Sequence, residues 1–304
     1  MKDNIKLSIA VITMNRAEQL REAIESCFAC ELPENTEFVI IDNASTDHTQ
    51  TVVNELFASQ PYSYYYEKMV ENLGVGGGRN YAFSKSSGEY VYVLDDDAVI
   101  DYETQPYFFK NAIQILDDDS SIITLTTQIY DTAWGSDRLT IDQLPKYKDS
   151  YYLTKMFCGG SHYLRKSFFD TSPYLPNKYG YEEIPPSLYV IDANKHNLFV
   201  PDLRVIHKPL VDKWDRTKKA NDEILIKSVV LPYSIKKMMY PSIFIPVLWF
   251  AHKMRCCRHF STDKDVRKRA KQVTQEFLKQ YSIDKKIKTK TVFYLVKNFG
   301  LSAF

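Results

Sequence analysis

Strand-forming and helix-forming segments alternate through the first hundred residues, and this restricts the fold more than any other feature of the chain. Ser8–Thr13 (SIAVIT), Glu37–Asp42 (EFVIID) and Glu89–Leu94 (EYVYVL) are short apolar runs of β-formers. Ser63–Glu67 (SYYYE) reads as a further strand or as a longer aromatic loop. Between them, Ala17–Phe28 places Leu20, Ala23, Ile24 and Cys27 at helical spacing. Thr51–Phe57 continues a second helix, and Tyr81–Ser86 forms a third that Gly88 would close as its C-cap. Units of this length predict a parallel sheet with helices on both faces.

Beyond Asp101 the rhythm changes. Thr104–Leu116 reads as a helix and Ser121–Tyr130 (SIITLTTQIY) as a strand. Residues 131–150 carry few periodic signals and are expected to loop over the sheet edge. Met156–Phe169 holds a Cys-Gly-Gly turn, then a strand and a helix. Leu198–Val200 and Leu203–Ile206 read as two short strands around the turn Pro201-Asp202. From Ile224 onward the pattern is helical, basic and aromatic.

Composition removes several classes. With 304 residues, 44% of them hydrophobic, the chain can bury a sizeable core and is not mainly disordered. Five cysteines cannot build a disulfide scaffold, and the odd count fits a reducing compartment. The start, MKDNIKLSIAVI, has a short apolar run with no small-residue cleavage site after it, so no secretory signal is expected. The longest uncharged stretch, Met238–Ala251, has 14 residues and two prolines. A spanning helix needs roughly 20, so the protein is expected not to be integral to a membrane; with the odd cysteine count, a cytoplasmic location is expected.

The net charge of +1 hides a division. Residues 201–304 hold 23 Lys+Arg against 9 Asp+Glu, which leaves 39 − 23 = 16 basic and 38 − 9 = 29 acidic residues in the remainder. Such asymmetry suggests two functional regions, the second facing something anionic.

In a parallel sheet, ligands bind beyond the carboxyl ends of the strands. Polar clusters fall at those ends here: Thr13-Met14-Asn15-Arg16, then Asp42 to Asp47, then Asp95-Asp96-Asp97. Three carboxylates in a row repel one another unless a cation or a hydrogen-bond network offsets them. Hard oxygen ligands beside a diphosphate suit Mg²⁺ or Mn²⁺. The plainer alternative is an acidic turn capping the next helix. The stretch Asn72 to Asn80 (NLGVGGGRN) lacks the last glycine of a dinucleotide fingerprint and follows the third strand rather than the first. Its glycines still allow close backbone approach to a ligand, and Arg79 could reach a phosphate; a flexible turn is the other reading.

The ordered series SIAVITMNR, FVIIDNASTD, NLGVGGGRNYAF, YVYVLDDDAVI, FCGGSHYLRKSFF, a Glu-Glu pair and LFVPDLRVIHK resembles family 2 of the glycosyltransferases. It covers roughly residues 6 to 210, and the glycine loop looks most like the rhamnosyl- and galactofuranosyltransferase branch. The resemblance implies a GT-A, Rossmann-like, mostly parallel sheet flanked by helices over residues 1–210. A basic helical region, residues 211–304, would follow. It implies that Thr13, Asn15 and Arg16 surround the nucleotide, that Asp42 binds the pyrimidine base and that Asp95 contacts the ribose, with Asp96 and Arg79 in the same nucleotide site. Asp97 and His207 would hold Mn²⁺ or Mg²⁺. Glu182 and Glu183 stand where relatives carry the catalytic base, and relatives place it second, at Glu183. The chain departs from the pattern in running on as Ile-Pro-Pro, with Asp192 near an expected Arg and about three extra residues before Asn197.

The implied function is inverting, metal-dependent transfer of a sugar from a nucleotide sugar, UDP-linked or else dTDP-rhamnose, to a glycan or lipid-linked acceptor in bacterial surface polysaccharide synthesis. Nucleic acid is not among the implied partners. A sugar-nucleotide pyrophosphorylase would need glycines directly after the first strand, where this chain has Thr13-Met14-Asn15-Arg16. A non-catalytic nucleotide-binding module is the other alternative. Cys27 and Cys30 lie within a helical pattern and read as buried thiols, and His162 reads as a contact to acceptor or diphosphate or as a strand-end residue. In the basic region, Met238–Ala251 framed by cations suggests peripheral contact with an anionic membrane surface. A helix packed on the catalytic domain or in a homodimer is the alternative.

Overall fold

The computed structural model describes residues 5–148, 150–170, 172–178, 180–210, 222–260 and 263–304. They divide into two compact units, before and after the Pro209/Leu210 junction. The sequence-based boundary at 210/211 abuts residues 211–221, which lie outside the described residues, as do residues 1–4 of the charged start.

The first unit is built on one mixed sheet. Its strands are β1 (Leu7–Thr13), β2 (Thr36–Asp42), β3 (Ser63–Lys68), β4 (Tyr90–Asp95), β5 (Ala98–Ile100), β6 (Ile122–Asp131), β7 (Ser136–Asp137), β8 (Lys146–Lys148), β9 (Tyr151–Leu153), β10 (Ser161–Arg165) and β11 (His196–His207). The order is β3-β2-β1-β4-β10-β6-β11-β9-β8, with β5 paired to β11 and β7 to β6. Strands β3, β2, β1 and β4 are parallel, as are β6 and β11, and β10 runs antiparallel between the two sets.

Side chains alternate across this sheet as a period of two requires. Leu7, Ile9 and Val11 of β1 and Tyr90, Tyr92 and Leu94 of β4 enter the core on one face. That face is covered by α1 (Ala17–Phe28), α2 (Thr49–Phe57) and α4 (Phe108–Asp118), which follow β1, β2 and β5. Ala10, Val91 and Val93 enter the core on the other face with Ala82 and Phe83 of α3 (Gly74–Lys85). The helix α5 (Ile184–Asp192) begins with Pro185 and Pro186, tolerated where N–H groups have no helical partner.

Four expectations are corrected. Helix α3 starts at Gly74, so the glycine run lies within it. A Cβ on Gly76 would stand 1.9 Å from the carbonyl oxygen of Leu175, so only glycine lets this helix and that segment meet. The helix ends at Lys85 with Ser86 as its cap, and Gly88 instead allows close approach to Ser8, whose backbone nitrogen a Cβ would meet at 2.6 Å. Leu198–Val200 and Leu203–Ile206 belong to one strand, β11, with a register shift between Val200 and Arg204. Pro201 has no N–H for the ladder, and the strand absorbs this as a bulge rather than a turn. Residues 131–150 are not a plain loop, because β7 and β8 pair with β6 and β9.

The second unit is helical: α6 (Asp222–Met239), α7 (Ile245–Phe260), α8 (Lys264–Gln280) and α9 (Thr289–Phe299). Asp263 caps α8 by accepting from the backbone N–H groups of Asp265 and Val266. Val229, Val230 and Tyr233 of α6, Ala270, Val273 and Phe277 of α8, and Val292 and Leu295 of α9 are buried within the unit. The apolar run 238–251 spans the end of α6, a 3₁₀ turn at Ser242–Phe244 and the first half of α7. Among the described residues, no helix is long and apolar enough to cross a membrane.

Candidate active site

Strand β4 ends in Asp95, and the turn Asp96-Asp97 leads straight into β5. Because β5 pairs antiparallel with β11 in the register Ala98↔His207, the turn brings Asp97 against the last residue of β11. Nε2 of His207 lies 3.1 Å from Asp97 Oδ1. One ligand atom each from Asp95, Asp97 and His207 fit within 4.8 Å of one another. Two carboxylates and one imidazole, converging and largely buried, fit Mn²⁺ or Mg²⁺ in donor chemistry.

Two residues that the sequence reading passed over complete this cluster. Asp131, the last residue of β6, places Oδ2 3.1 Å from His207 Nδ1. Arg138 binds the same carboxylate oxygen at 2.7 Å and comes within 2.9 Å of the same ring nitrogen. Either ring tautomer therefore finds partners. With Nδ1–H donated to Asp131, the Nε2 lone pair is left for a cation. A signal for Asp131 was present, since it ends an apolar run as Asp42 and Asp95 do; Arg138, in a stretch without periodicity, had none.

Arg16 donates from Nη1 to Asp96 Oδ1 at 2.7 Å and to Asp97 Oδ2 at 2.8 Å. The acidic turn is thus bridged by the residue that precedes α1. Burial, and then the neighbouring Asp97 charge, raise Asp96 to about 6 against the pull of Arg16. Burial would also raise Asp95, but Arg79, His207 and Arg138 outweigh it and hold that carboxyl below its ordinary value.

Arg79 is buried on α3, and its guanidinium joins the two halves of the site. Nη2 donates to Asp95 Oδ1 at 2.6 Å, and Nη1 pairs with Oε1 of Glu182. The Cys-Gly-Gly turn lies close against Arg79 and Asp95: a Cβ on Gly159 would stand 2.8 Å from Arg79 Nη1, and one on Gly160 2.9 Å from Asp95 Oδ2. Glu182 is buried and committed to this pair, while Glu183 at the start of α5 is only half-buried. Burial and the adjacent Glu182 push Glu183 up to about 8.

The remaining expected residues line the ends of β1 and β2. Thr13 is buried, and its carbonyl accepts from the Asn43 N–H at 2.8 Å. Asn15 adopts φ 55°, a left-handed conformation held by Ser45 Oγ on its N–H at 2.8 Å and by the Thr46 N–H on its Oδ1 at 2.7 Å. Asp42 accepts from the Ser45 N–H at 2.6 Å and from the Tyr66 hydroxyl at 2.8 Å. His162 lies in the core instead, stacked on Phe157 and 2.6 Å from the Tyr174 hydroxyl, with burial and then Arg79 lowering it to about 3. Asn197 ties β11 to Thr124 and to the Ser187 carbonyl, a structural task. Cys27 and Cys30 are free, buried thiols.

A family model described as Glycosyl transferase family 2 matches residues 8–171. The chain is 34% identical over 92 residues to the GalNAc(5)-diNAcBac-PP-undecaprenol beta-1,3-glucosyltransferase of Campylobacter jejuni, covering 30% of this chain and 29% of that protein. It is 30% identical over 123 residues to the poly(ribitol-phosphate) beta-N-acetylglucosaminyltransferase TarS of Staphylococcus aureus, covering 40% and 20%. Across the curated relatives, the matched part spans between 13% and 40% of their length. The crystal structure of S. aureus TarS 1-349 in complex with UDP-GlcNAc superposes with a TM-score of 0.64 at 14% identity, over 98% of this chain and 89% of that one. This likeness is one of fold: the helix-flanked mixed sheet is that of GT-A glycosyltransferases.

Proposed function

The chain belongs to glycosyl transferase family 2, and from that premise we propose that it moves a sugar from a nucleoside diphosphate sugar to an acceptor hydroxyl with inversion at the anomeric carbon. The observation that carries this reading is the convergence of Asp95, Asp97 and His207 at the carboxyl edge of the sheet. Of these, Asp97 and His207 would hold Mn²⁺ or Mg²⁺, and the ion would offset the charge of the donor diphosphate. In this reading Asp42 accepts from the N–H of the pyrimidine, with Tyr66 fixing its orientation, and Thr13 and Asn15 flank the nucleotide. Arg16 and Asp96 position the acidic turn, and Asp95 meets the ribose. Arg79 holds Asp95 and Glu182 in place and adds positive charge near the departing diphosphate.

Glu183 is the base. Its neighbour Glu182 is occupied by Arg79, whereas Glu183 is only half-buried, and its raised pKa suits acceptance of a proton near neutral pH. A UDP-sugar is the favoured donor, supported by the UDP-GlcNAc complex of the structurally similar TarS. The glycine loop keeps dTDP-rhamnose and the rhamnosyl- and galactofuranosyltransferase branch as the next choice. The acceptor we favour is a glycan or lipid-linked hydroxyl of a bacterial surface polysaccharide, met at the cytoplasmic face of the membrane. One relative is named for action on an undecaprenol-linked glycan. Residues 1–210 would perform the chemistry and residues 211–304 would serve the membrane or the acceptor.

Calorimetry with UDP, with and without Mn²⁺, tests the site. Asp97→Ala and His207→Ala should each abolish the Mn²⁺-dependent part of the affinity; unchanged binding in both variants would overturn the assignment. Hydrolysis of a panel of UDP- and dTDP-sugars then identifies the donor.

A further inference from the structure

The outward face of α7 is apolar where a solvated helix would be polar. Val247, Phe250 and Met254 recur at i, i+3 and i+7 and are 43%, 59% and 59% exposed, with Trp249 beside them at 52%, while Leu248 faces inward at 1%. The turn entering the helix adds Ile243 at 74%. Phe293 of α9, also largely exposed, packs edge-on against Phe244 of that turn with ring centroids 5.6 Å apart. Large side chains exposed on one side of a packed helical unit mark contact with another apolar body.

The surrounding charges indicate which body. Lys253 holds its ammonium 5.2 Å above the Trp249 ring, and Arg258 is exposed farther along the same helix. Lys286 donates to Ser242 Oγ at 3.4 Å, next to Ile243, and Lys290 and Lys297 flank Phe293 at helical spacing on α9. No acidic residue lies between Glu223 and Asp263, and Asp284 is the single one after Glu276. A second copy of this chain docked face to face would set these cations against their own images, with Asp284 the single carboxylate after Glu276 to pair them. A partner that offers both an apolar interior and surface anions answers both features.

We propose that this face seats in the interface of an anionic lipid bilayer, with Trp249, Phe250 and Phe293 at the boundary of headgroups and acyl chains and the lysines and arginine among the headgroups. The proposal deepens the reading given above for residues 211–304 and does not depend on the chemistry of transfer.

Sedimentation of the full chain with vesicles tests it, comparing phosphatidylcholine alone with phosphatidylcholine mixed with phosphatidylglycerol. Binding is expected only to the mixed vesicles, weakening as salt rises. It should fall about fivefold for each of Lys253→Gln and Arg258→Gln, and by about tenfold or more when Trp249→Ser and Phe250→Ser are combined. These side chains are exposed, and circular dichroism of each variant verifies that the helices persist. Equal recovery in the supernatant with both vesicle types overturns the proposal, as does undiminished binding by the doubly substituted variant. Self-association in sedimentation equilibrium that vanishes with Trp249→Ser would assign the face to a second copy and also overturn it. Calorimetric UDP binding in the same preparations tests the transfer reaction separately.

Discussion

Asp131 Oδ2 stands 3.1 Å from His207 Nδ1, on the opposite side of the ring from the nitrogen that faces Asp97. The imidazole is therefore gripped from the end of β6 as well as from the β4–β5 turn. A carboxylate on the far nitrogen fixes ring orientation and makes the near one a better donor to a cation.

Asp131→Ala should accordingly weaken Mn²⁺ binding by about 10- to 100-fold, although Asp131 is not itself counted among the ligands. Electron paramagnetic resonance of free Mn²⁺ in a titration measures this directly. Unchanged affinity, with the fold intact by circular dichroism, would remove Asp131 from that role.

Glu183→Gln should retain UDP affinity and lose about 10²- to 10⁴-fold in transfer. In the unsubstituted protein the base works ionised, so transfer should rise with pH through about 8 and level off above it. Stability should move the other way. The folded pKa lies above the unfolded value of about 4.3, so the native state binds the extra proton between those limits. That contribution is complete below the unfolded value and lost as pH rises through about 8. Urea midpoints across this range should therefore decline in the wild type relative to Glu183→Gln; parallel curves for the two proteins would reject the raised pKa.

Gly76→Ala should destabilise the first unit by about 3 kcal/mol or more, at or beyond the upper end of ordinary overpacking. The clash is with a backbone carbonyl, that of Leu175, which cannot rotate away as a side chain would. Urea denaturation checks it, and a loss below about 1 kcal/mol would mean that the segment around Leu175 yields easily. Gly135, where an added Cβ would meet nothing, has φ +64° and is no neutral control for the same substitution.

Much of the site was legible because strand ends are written locally. Thr13, Asp42 and Asp95 each terminate an apolar run, and the structure finds each at the end of its strand. Asp97 and His207 were paired by resemblance, and the register of β5 on β11 supplies the physical reason. Asp131 ends an apolar run as Thr13, Asp42 and Asp95 do, but its partnership with His207, like that of Arg138, joins residues 76 and 69 apart along the chain and could not be read locally. The role of the glycine run was half legible. Its freedom to approach another group closely could be read from composition, but the group that approaches, the backbone around Leu175, could not.

The amino-acid sequence by itself determined the local periods: which residues form strands, which faces of those strands are apolar, and where each run stops in a polar residue. Those features follow from side-chain alternation and helical spacing, which act over a few neighbours. The tertiary structure alone decided the pairings across long separations. It set Arg79 between Asp95 and Glu182, brought Asp131 to His207, and left Trp249 and Phe250 outside while Leu248 went in. Such choices depend on strand order, register and the packing of whole helices, and they arise only when distant segments are brought together around a common core.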